Sequence, residues 1–329
     1  MRLRDIAFAV PETRIGSDEV ARWTGLDPRF IAEKIGVESR AFLRAEEAPV
    51  SLAKQACSSL FERSRQLDPR QIKLLVVVTQ NPDFKLPHDS ALLQDALGLS
   101  TDVACFDVNL GCSGYVYALS IARALMAAEE ISDALVVTCD AYSRIMDPSD
   151  RDTIPLFGDA ASATWLSAEA GGRIGRPDFG TDGSGAEHLM VPAGGAARPL
   201  SSVHGERASE VSPDDLRLHM NGRAIFNFMM ERVPASLQRC LQRNGLTQDQ
   251  VDFFVFHQAS RFLLDTLARR LRLPADRVPI NIARLGNTVS STIPIVLSEL
   301  LAEGRLAGKR VLVSGFGVGL SWATNIIEF

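Results

Sequence analysis

Residues 72–80 read IKLLVVVTQ, an almost unbroken apolar run of strand length. The stretch CSGYVYALSIARALMAAEE after Gly111 has the Ala/Leu content of a buried helix. Such runs alternate along most of the chain. Strands this apolar have no wet face, so the pattern predicts an α/β fold with largely buried strands. The pattern also repeats. IKLLVVVTQ is answered by VDFFVFHQA at 251–259, and ACFDVNLGCSGYVYALSIARAL at 104–125 by VPINIARLGNTVSSTIPIVLSEL at 278–300. DALVVTCDAYS at 133–143 corresponds to KRVLVSGFGVG at 309–319. Positions 76, 112 and 137 thus match 255, 287 and 313, at one spacing of about 175 to 180 residues. Chance resemblance among apolar strands does not fix a spacing. Two similar halves, 1–170 and 171–329, packed face to face, are expected.

Composition narrows the class. At 329 residues with 46% hydrophobic positions, the chain can bury a substantial core. No segment approaches the roughly 20 apolar residues of a membrane span. The early run IAFAV is short and meets Pro11 and Glu12 at once, unlike a signal-peptide core, so a cytoplasmic protein is expected. Lys and Arg number 35 against 40 acidic residues, a net of −5, which argues against nucleic acid as the main partner. The five cysteines, Cys57, Cys105, Cys112, Cys139 and Cys240, form no CxxC pair, and the five histidines are scattered. Reduced thiols and no metal site are expected.

Three residues stand out by placement. Cys112 lies between Gly111 and Gly114, where a predicted strand gives way to a helix. The dipole of that helix favours a thiolate, and the glycines allow close approach to the sulfur. An isolated cysteine is more often a small core residue, but this junction argues otherwise. His257 follows the apolar run FFVF, and Asn287 follows another predicted strand in RLGNTVSSTIP. Alone, His257 reads as a hydrogen-bonded core residue and Asn287 as a helix N-cap. Matching placement in the two halves brings all three to the carboxyl ends of strands, where α/β sheets bind ligands. Cys, His and Asn occur in this chain order in papain-like proteases too. Those carry CGSCW-type surroundings and a disulfide framework, and this chain has neither.

The motifs GCSGYVYAL around Cys112, DPSDRDTIPLFGDAASA at 147–163, HQAS at 257–260, GNTVSSTIP at 286–294 and GFGVGLSWA at 315–323 together resemble the thiolase-like condensing enzymes, specifically the β-ketoacyl-acyl carrier protein synthase III family. The resemblance covers nearly the whole chain. It implies a duplicated α/β fold, two similar halves with mixed sheets in an α-β-α-β-α layering. It also implies a two-step decarboxylative Claisen condensation. Cys112 would take an acyl group from acyl-CoA, and a malonyl thioester would lose CO₂ and attack it. His257 and Asn287 would hydrogen-bond the malonyl thioester carbonyl. The backbone N–H groups of Cys112 and Val318 would form an oxyanion hole. No metal or other cofactor is implied. The CoA positions carried over are Phe30 and Arg151 beside the adenine, Lys34, and Gly222, Phe226, Ala259 and Ser260 along the pantetheine tunnel. For Arg151 the plainer alternative is a surface ion pair with Asp147 or Asp150.

Departures from the family pattern carry information. Val318 replaces the middle glycine of a Gly-Gly-Gly loop, Ser260 an asparagine, and Phe30 a tryptophan. Lys34 stands in for an arginine and loses its planar fork. Leu86 takes the place of a phenylalanine that reaches across a homodimer into the partner's acyl pocket, so a primer longer than acetyl is expected. Carrier-protein docking has lost a lysine at Asn227 and an arginine at Phe262. Arg261 sits one position earlier, about 100° around a helix. Arg261, Arg269, Arg270 and Arg272 still offer a basic face for an acidic acyl carrier protein, or an ordinary solvated surface. Residues 194–215, including His204, read as an exposed loop. Two rivals stay open: an acyltransferase moving the acyl group from Cys112 to an alcohol or amine, and a silent scaffold partnering another condensing subunit.

Overall fold

The computed structural model of the chain describes residues 1–200 and 211–329. Ten strands form one mixed sheet: β1 (Arg2–Ala9), β2 (Ile72–Val78), β3 (Ala104–Val108), β4 (Asp133–Asp140), β5 (Ala160–Ser167), β6 (Gly172–Ile174), β7 (Asp178–Thr181), β8 (Phe253–Phe256), β9 (Arg310–Gly317) and β10 (Ser321–Glu328). Their spatial order is β8-β9-β10-β6-β1-β5-β4-β2-β3, with β7 also paired to β10. β2 runs parallel to both β3 and β4, and β4 is antiparallel to β5. The far side repeats this arrangement: β8 is parallel to β9, and β9 is antiparallel to β10. The division expected at 170/171 would fall in the turn between β5 and β6.

Five helices of ten or more residues occur among the described residues: α1 (Pro49–Arg63), α2 (Gly114–Ala128), α3 (Gly222–Arg243), α4 (Arg261–Arg270) and α5 (Thr292–Ala302). α2 touches β2 and β4 on one side and β9 and β10 on the other, while α5 touches β1 and β5 as well as β8 and β9. These two helices form the middle layer, which explains their sequences. In α5 every residue from Thr292 to Ser298 is buried, as expected of a helix covered on all sides. α1 covers the outer face of β1, β4 and β5, and α3 covers β9 and β10. The layering is therefore α-β-α-β-α. The two β layers are not separate sheets, because β6 bridges β1 and β10 and makes them continuous.

One predicted strand is missing. Before Asn287 the chain forms no strand among the sheet's members but a short helix, Ile282–Leu285. Pro279 lacks the N–H that a ladder needs. The β3 counterpart in the second half is thus absent, and Asn287 reaches the first half through an isolated bridge to Phe157. Of the loop 194–215, His204 lies outside the described residues. Its described flanks are joined by an Arg198–Asp215 ion pair at 3.0 Å. No helix of the described residues is long and apolar enough to cross a membrane.

Candidate active site

Cys112 sits in the turn between β3 and α2, closed by a bond from the Gly114 N–H to the Gly111 carbonyl at 2.8 Å. The helix starts at Gly114 with Ser113 in the cap position. The Ser113 hydroxyl meets that of Ser321 at 2.7 Å instead of capping the helix. The flanking glycines serve packing more than access. A Cβ on Gly111 would lie 2.3 Å from Gln80 Oε1 and 2.8 Å from Val318 Cγ1, and one on Gly114 would lie 2.4 Å from Val78 Cγ1.

β9 passes beneath the cysteine, and this contact has the same requirement. A Cβ on Gly315 would fall 2.5 Å from the Cys112 carbonyl oxygen, and one on Gly317 would fall 2.7 Å from Sγ. Both glycines lie in the GFGVG motif, but apolar patterning gives no sign of their role. It follows from which strand runs under the thiol.

The expected thiolate is not what the resting site favours. Burial pushes the Cys112 thiol up to about 12, and the charge of Asp140 adds to the effect. The N–H groups of Val318 and of Cys112 itself act on the sulfur in the opposite direction. The helix dipole loses because the thiol is 5% exposed and lies two residues before the first helical turn.

His257 follows β8, its backbone N–H bonded to the Ser314 carbonyl at 2.9 Å. The ring meets Phe316 edge-on, with centroids 5.6 Å apart at 85°. It is 1% exposed, and burial lowers its pKa to about 3, so it is neutral at pH 7. Nδ1 lies 2.8 Å from Thr292 Oγ1, which leaves Nε2 for the cavity.

Asn287 is pinned by its backbone: its N–H donates to Leu156 O at 2.8 Å, and its carbonyl accepts from the Gly158 N–H at 3.0 Å. The preceding Gly286 has φ +68°, and a Cβ there would stand 2.6 Å from Leu156 O. The side-chain Oδ1 accepts the Val289 N–H at 2.9 Å. This is an Asx turn and not the helix cap that the sequence left open, since Thr288 and Ser291 hold the N-cap positions of the two helical segments that follow, and it leaves the amide N–H₂ as the free end.

Cys112, His257 and Asn287 line one cavity of about 110 Å³. Gly222, Ala259 and Ser260, expected along a pantetheine tunnel, line it too. Sequence reasoning missed Leu156, Phe157, Leu189, Met220, Ile225, Leu263 and Phe316 in the same wall. Leu156, Phe157 and Phe316 fall within motifs already singled out. Leu189 and Met220 carry no signal, because they meet only through the short pairing of Leu189–Met190 with His219–Met220.

Other expected residues lie outside this wall. Phe30 is 48% exposed, Lys34 and Arg151 are exposed, and Phe226 is half-buried and stacks on Phe262 at 5.8 Å. Arg151 makes no ion pair with Asp147 or Asp150 among the described residues. Those carboxylates take Ser149 and Thr153 hydroxyls instead. Leu86, 87% exposed, is no part of its own chain's cavity. On α4, Arg261 pairs with Asp265 at 2.9 Å, and Arg269 and Arg270 are exposed, as is Arg272 just beyond. An open groove of about 620 Å³ runs beside Arg261, Ala268, Arg269 and Leu273, and none of the three cavity residues lines it. No group of three His, Cys, Asp or Glu able to hold a metal ion occurs among the described residues.

Two family models match: 3-oxoacyl-[acyl-carrier-protein] synthase III over residues 106–183 and its C-terminal counterpart over 241–329. A relative from Syntrophomonas wolfei, a β-ketoacyl-[acyl-carrier-protein] synthase III, is 34% identical, covering 100% of this chain and 97% of its own. A crystal structure of a 3-oxoacyl-(acyl-carrier-protein) synthase III superposes with a TM-score of 0.93 at 38% identity, covering 100% of this chain and 99% of the other. The priming β-ketosynthase of the R1128 polyketide biosynthetic pathway superposes with a TM-score of 0.88 at 27% identity, covering 100% and 96%.

Proposed function

The chain belongs to the 3-oxoacyl-[acyl-carrier-protein] synthase III family and is a condensing acyltransferase of that type, and from that premise we propose how its cavity works. The Cys112 sulfur attacks an acyl-CoA carbonyl, the C–S bond to CoA breaks, and the thiol proton ends on the departing CoA thiolate. The N–H groups of Cys112 and Val318 hold the oxyanion formed on the way. A malonyl thioester then loses CO₂. The electron pair of the broken C–C bond, delocalised onto the thioester oxygen, is held by N–H donors from His257 and Asn287. The resulting carbon attacks the acyl group and expels the Cys112 thiolate, which takes up a proton from solvent, the one proton that the overall condensation consumes. The side chains named suffice for these steps without a further cofactor.

The observation that carries this reading is the convergence of all three side chains, from both halves of the chain, on one cavity. The residue division 1–170 and 171–329 belongs to the same proposal, supported by the matching strand order on the two sides. We place Phe30, Lys34, Arg151 and Phe226 along the CoA path outside the cavity. The malonyl donor is carrier-bound, docking on the arginines of α4, and a salt series comparing malonyl carrier protein with malonyl-CoA measures that attraction. A homodimer would pair the edge strand β3 and cover Phe84 and Leu86, which are 57% and 87% exposed. In that arrangement Leu86 enters the partner's acyl pocket, and the enzyme works in the cytoplasm.

Mass spectrometry after mixing with acyl-CoAs, followed by CO₂ release from malonyl-CoA or malonyl carrier protein, tests the reading. His257→Ala and Asn287→Ala are expected to acylate Cys112 and to lose roughly 10²- to 10³-fold in CO₂ release. A labelled Cys112 without decarboxylation favours transfer to an alcohol or amine, and no label favours a silent scaffold. Native CO₂ release in both variants rejects their roles.

A further inference from the structure

The oxygen that holds His257 has two demands on it. Thr292 Oγ1 lies 2.8 Å from His257 Nδ1 and 3.1 Å from the Val289 carbonyl oxygen. A hydroxyl has one proton to give. Given to Val289 O, it leaves Nδ1 to supply the ring proton, and Nε2 faces the cavity as a bare acceptor. Given to Nδ1, it places the ring proton on Nε2, and the cavity sees an N–H. The buried ring is neutral and holds a single proton, so the two arrangements exclude one another.

The difference decides what the cavity can bind. A thioester carbonyl offers only lone pairs, so only the second arrangement gives it a hydrogen bond from His257. At Asn287 no such choice exists, because Val289 N–H already occupies the carboxamide oxygen. We propose that Thr292 is the positioning residue that selects the Nε2–H form of His257 for the decarboxylation step. What occupies the cavity rests on the function proposed above. The ring's tautomer does not, and it is read without turnover. Without the hydroxyl, Nδ1 loses its donor, and the Val289 carbonyl that Thr292 bonds at 3.1 Å stays beside the ring as an acceptor, which favours a ring N–H facing it. Thr292→Val keeps the shape and removes the selection.

The experiment uses the full chain labelled with ¹⁵N-histidine, with a non-decarboxylating amide analogue of malonyl-CoA bound. NMR is expected to find the His257 proton on Nε2 in the native protein and in Thr292→Ser, and on Nδ1 in Thr292→Val. Removing one N–H donor is expected to slow CO₂ release from malonyl-CoA roughly 100-fold in Thr292→Val, with recovery to within roughly threefold in Thr292→Ser and Cys112 acylation near native in both. Thr292→Ala replaces the valine variant, with the same expectations, if that variant does not fold. An unchanged tautomer in the valine or alanine variant, or failure of serine to restore CO₂ release, overturns the proposal. A tautomer that shifts as expected in a protein whose native form releases no CO₂ upholds Thr292's hold on the ring and overturns the functional reading instead.

Discussion

Cys112 combines a fully enclosed thiol with two backbone N–H groups aimed at its sulfur, and the enclosure prevails. A thiol raised to about 12 has a thiolate fraction that grows about tenfold per pH unit below that value. Alkylation of Cys112 in the resting enzyme is therefore expected to accelerate about tenfold per unit from pH 7 to 10, followed by mass at this residue. A plateau near pH 8 would show that the dipole and N–H groups prevail. The place of Cys112 in the cavity wall was legible in the chain because glycines and a strand-to-helix junction are local features. Its protonation was not, since burial sums over strands remote in sequence. The same limit applies to Thr292, whose hydroxyl matters only because β8 ends beside the start of α5.

At the scale of elements, β9 and the turn leading into α2 approach closely enough that glycine is required where they cross. Gly315→Ala meets backbone atoms of Cys112 and Ser113, which have no freedom to move, and is expected to lower stability by roughly 1–3 kcal/mol in urea unfolding. Gly317→Ala meets Sγ and Cβ of Cys112. It is expected to fold and to acylate at least roughly tenfold more slowly, because a small displacement of a nucleophile already costs this much. Equal acylation by Gly317→Ala and the native protein would mean that the sulfur can yield without loss. The buried helices and strands were readable from apolar runs. The segment before Asn287 was misread because its apolar residues, Val278, Ile280 and Ile282, serve a loop and a short helix as readily as a strand.

Across the whole molecule, a buried polar seam ties the Asn287 loop to the first half. Asp140 at the end of β4 accepts from the Gln80 N–H at 2.9 Å and from the Ser290 hydroxyl and N–H, while Ser291 meets Thr138 at 2.7 Å. Burial raises the Asp140 carboxyl to about 7. Its folded-state pKa exceeds its unfolded one, so the native state holds the extra proton between about pH 4 and 7, and stability from this group is lost as pH rises through that window. Asp140→Asn removes the dependence. Its melting temperature relative to the native protein is expected to become more favourable from pH 5 to pH 8, whatever fixed cost the lost Ser290 bond adds. A difference that stays constant with pH would mean that Asp140 is ionised throughout.

Apolar period, glycine placement and a repeat near one spacing were enough to specify an α/β chain in two similar stretches and to single out Cys112, His257 and Asn287, because each is written in neighbouring residues. Folding decided the rest: the joining of two β layers through β6, the glycines of β9 under the sulfur, the closed wall completed by Leu189 and Met220, and the proton states of thiol and imidazole. Those properties come from desolvation and contact between separate segments, from about 30 residues apart at Leu189 and Met220 to about 200 at Cys112 and Gly317. No local pattern encodes them.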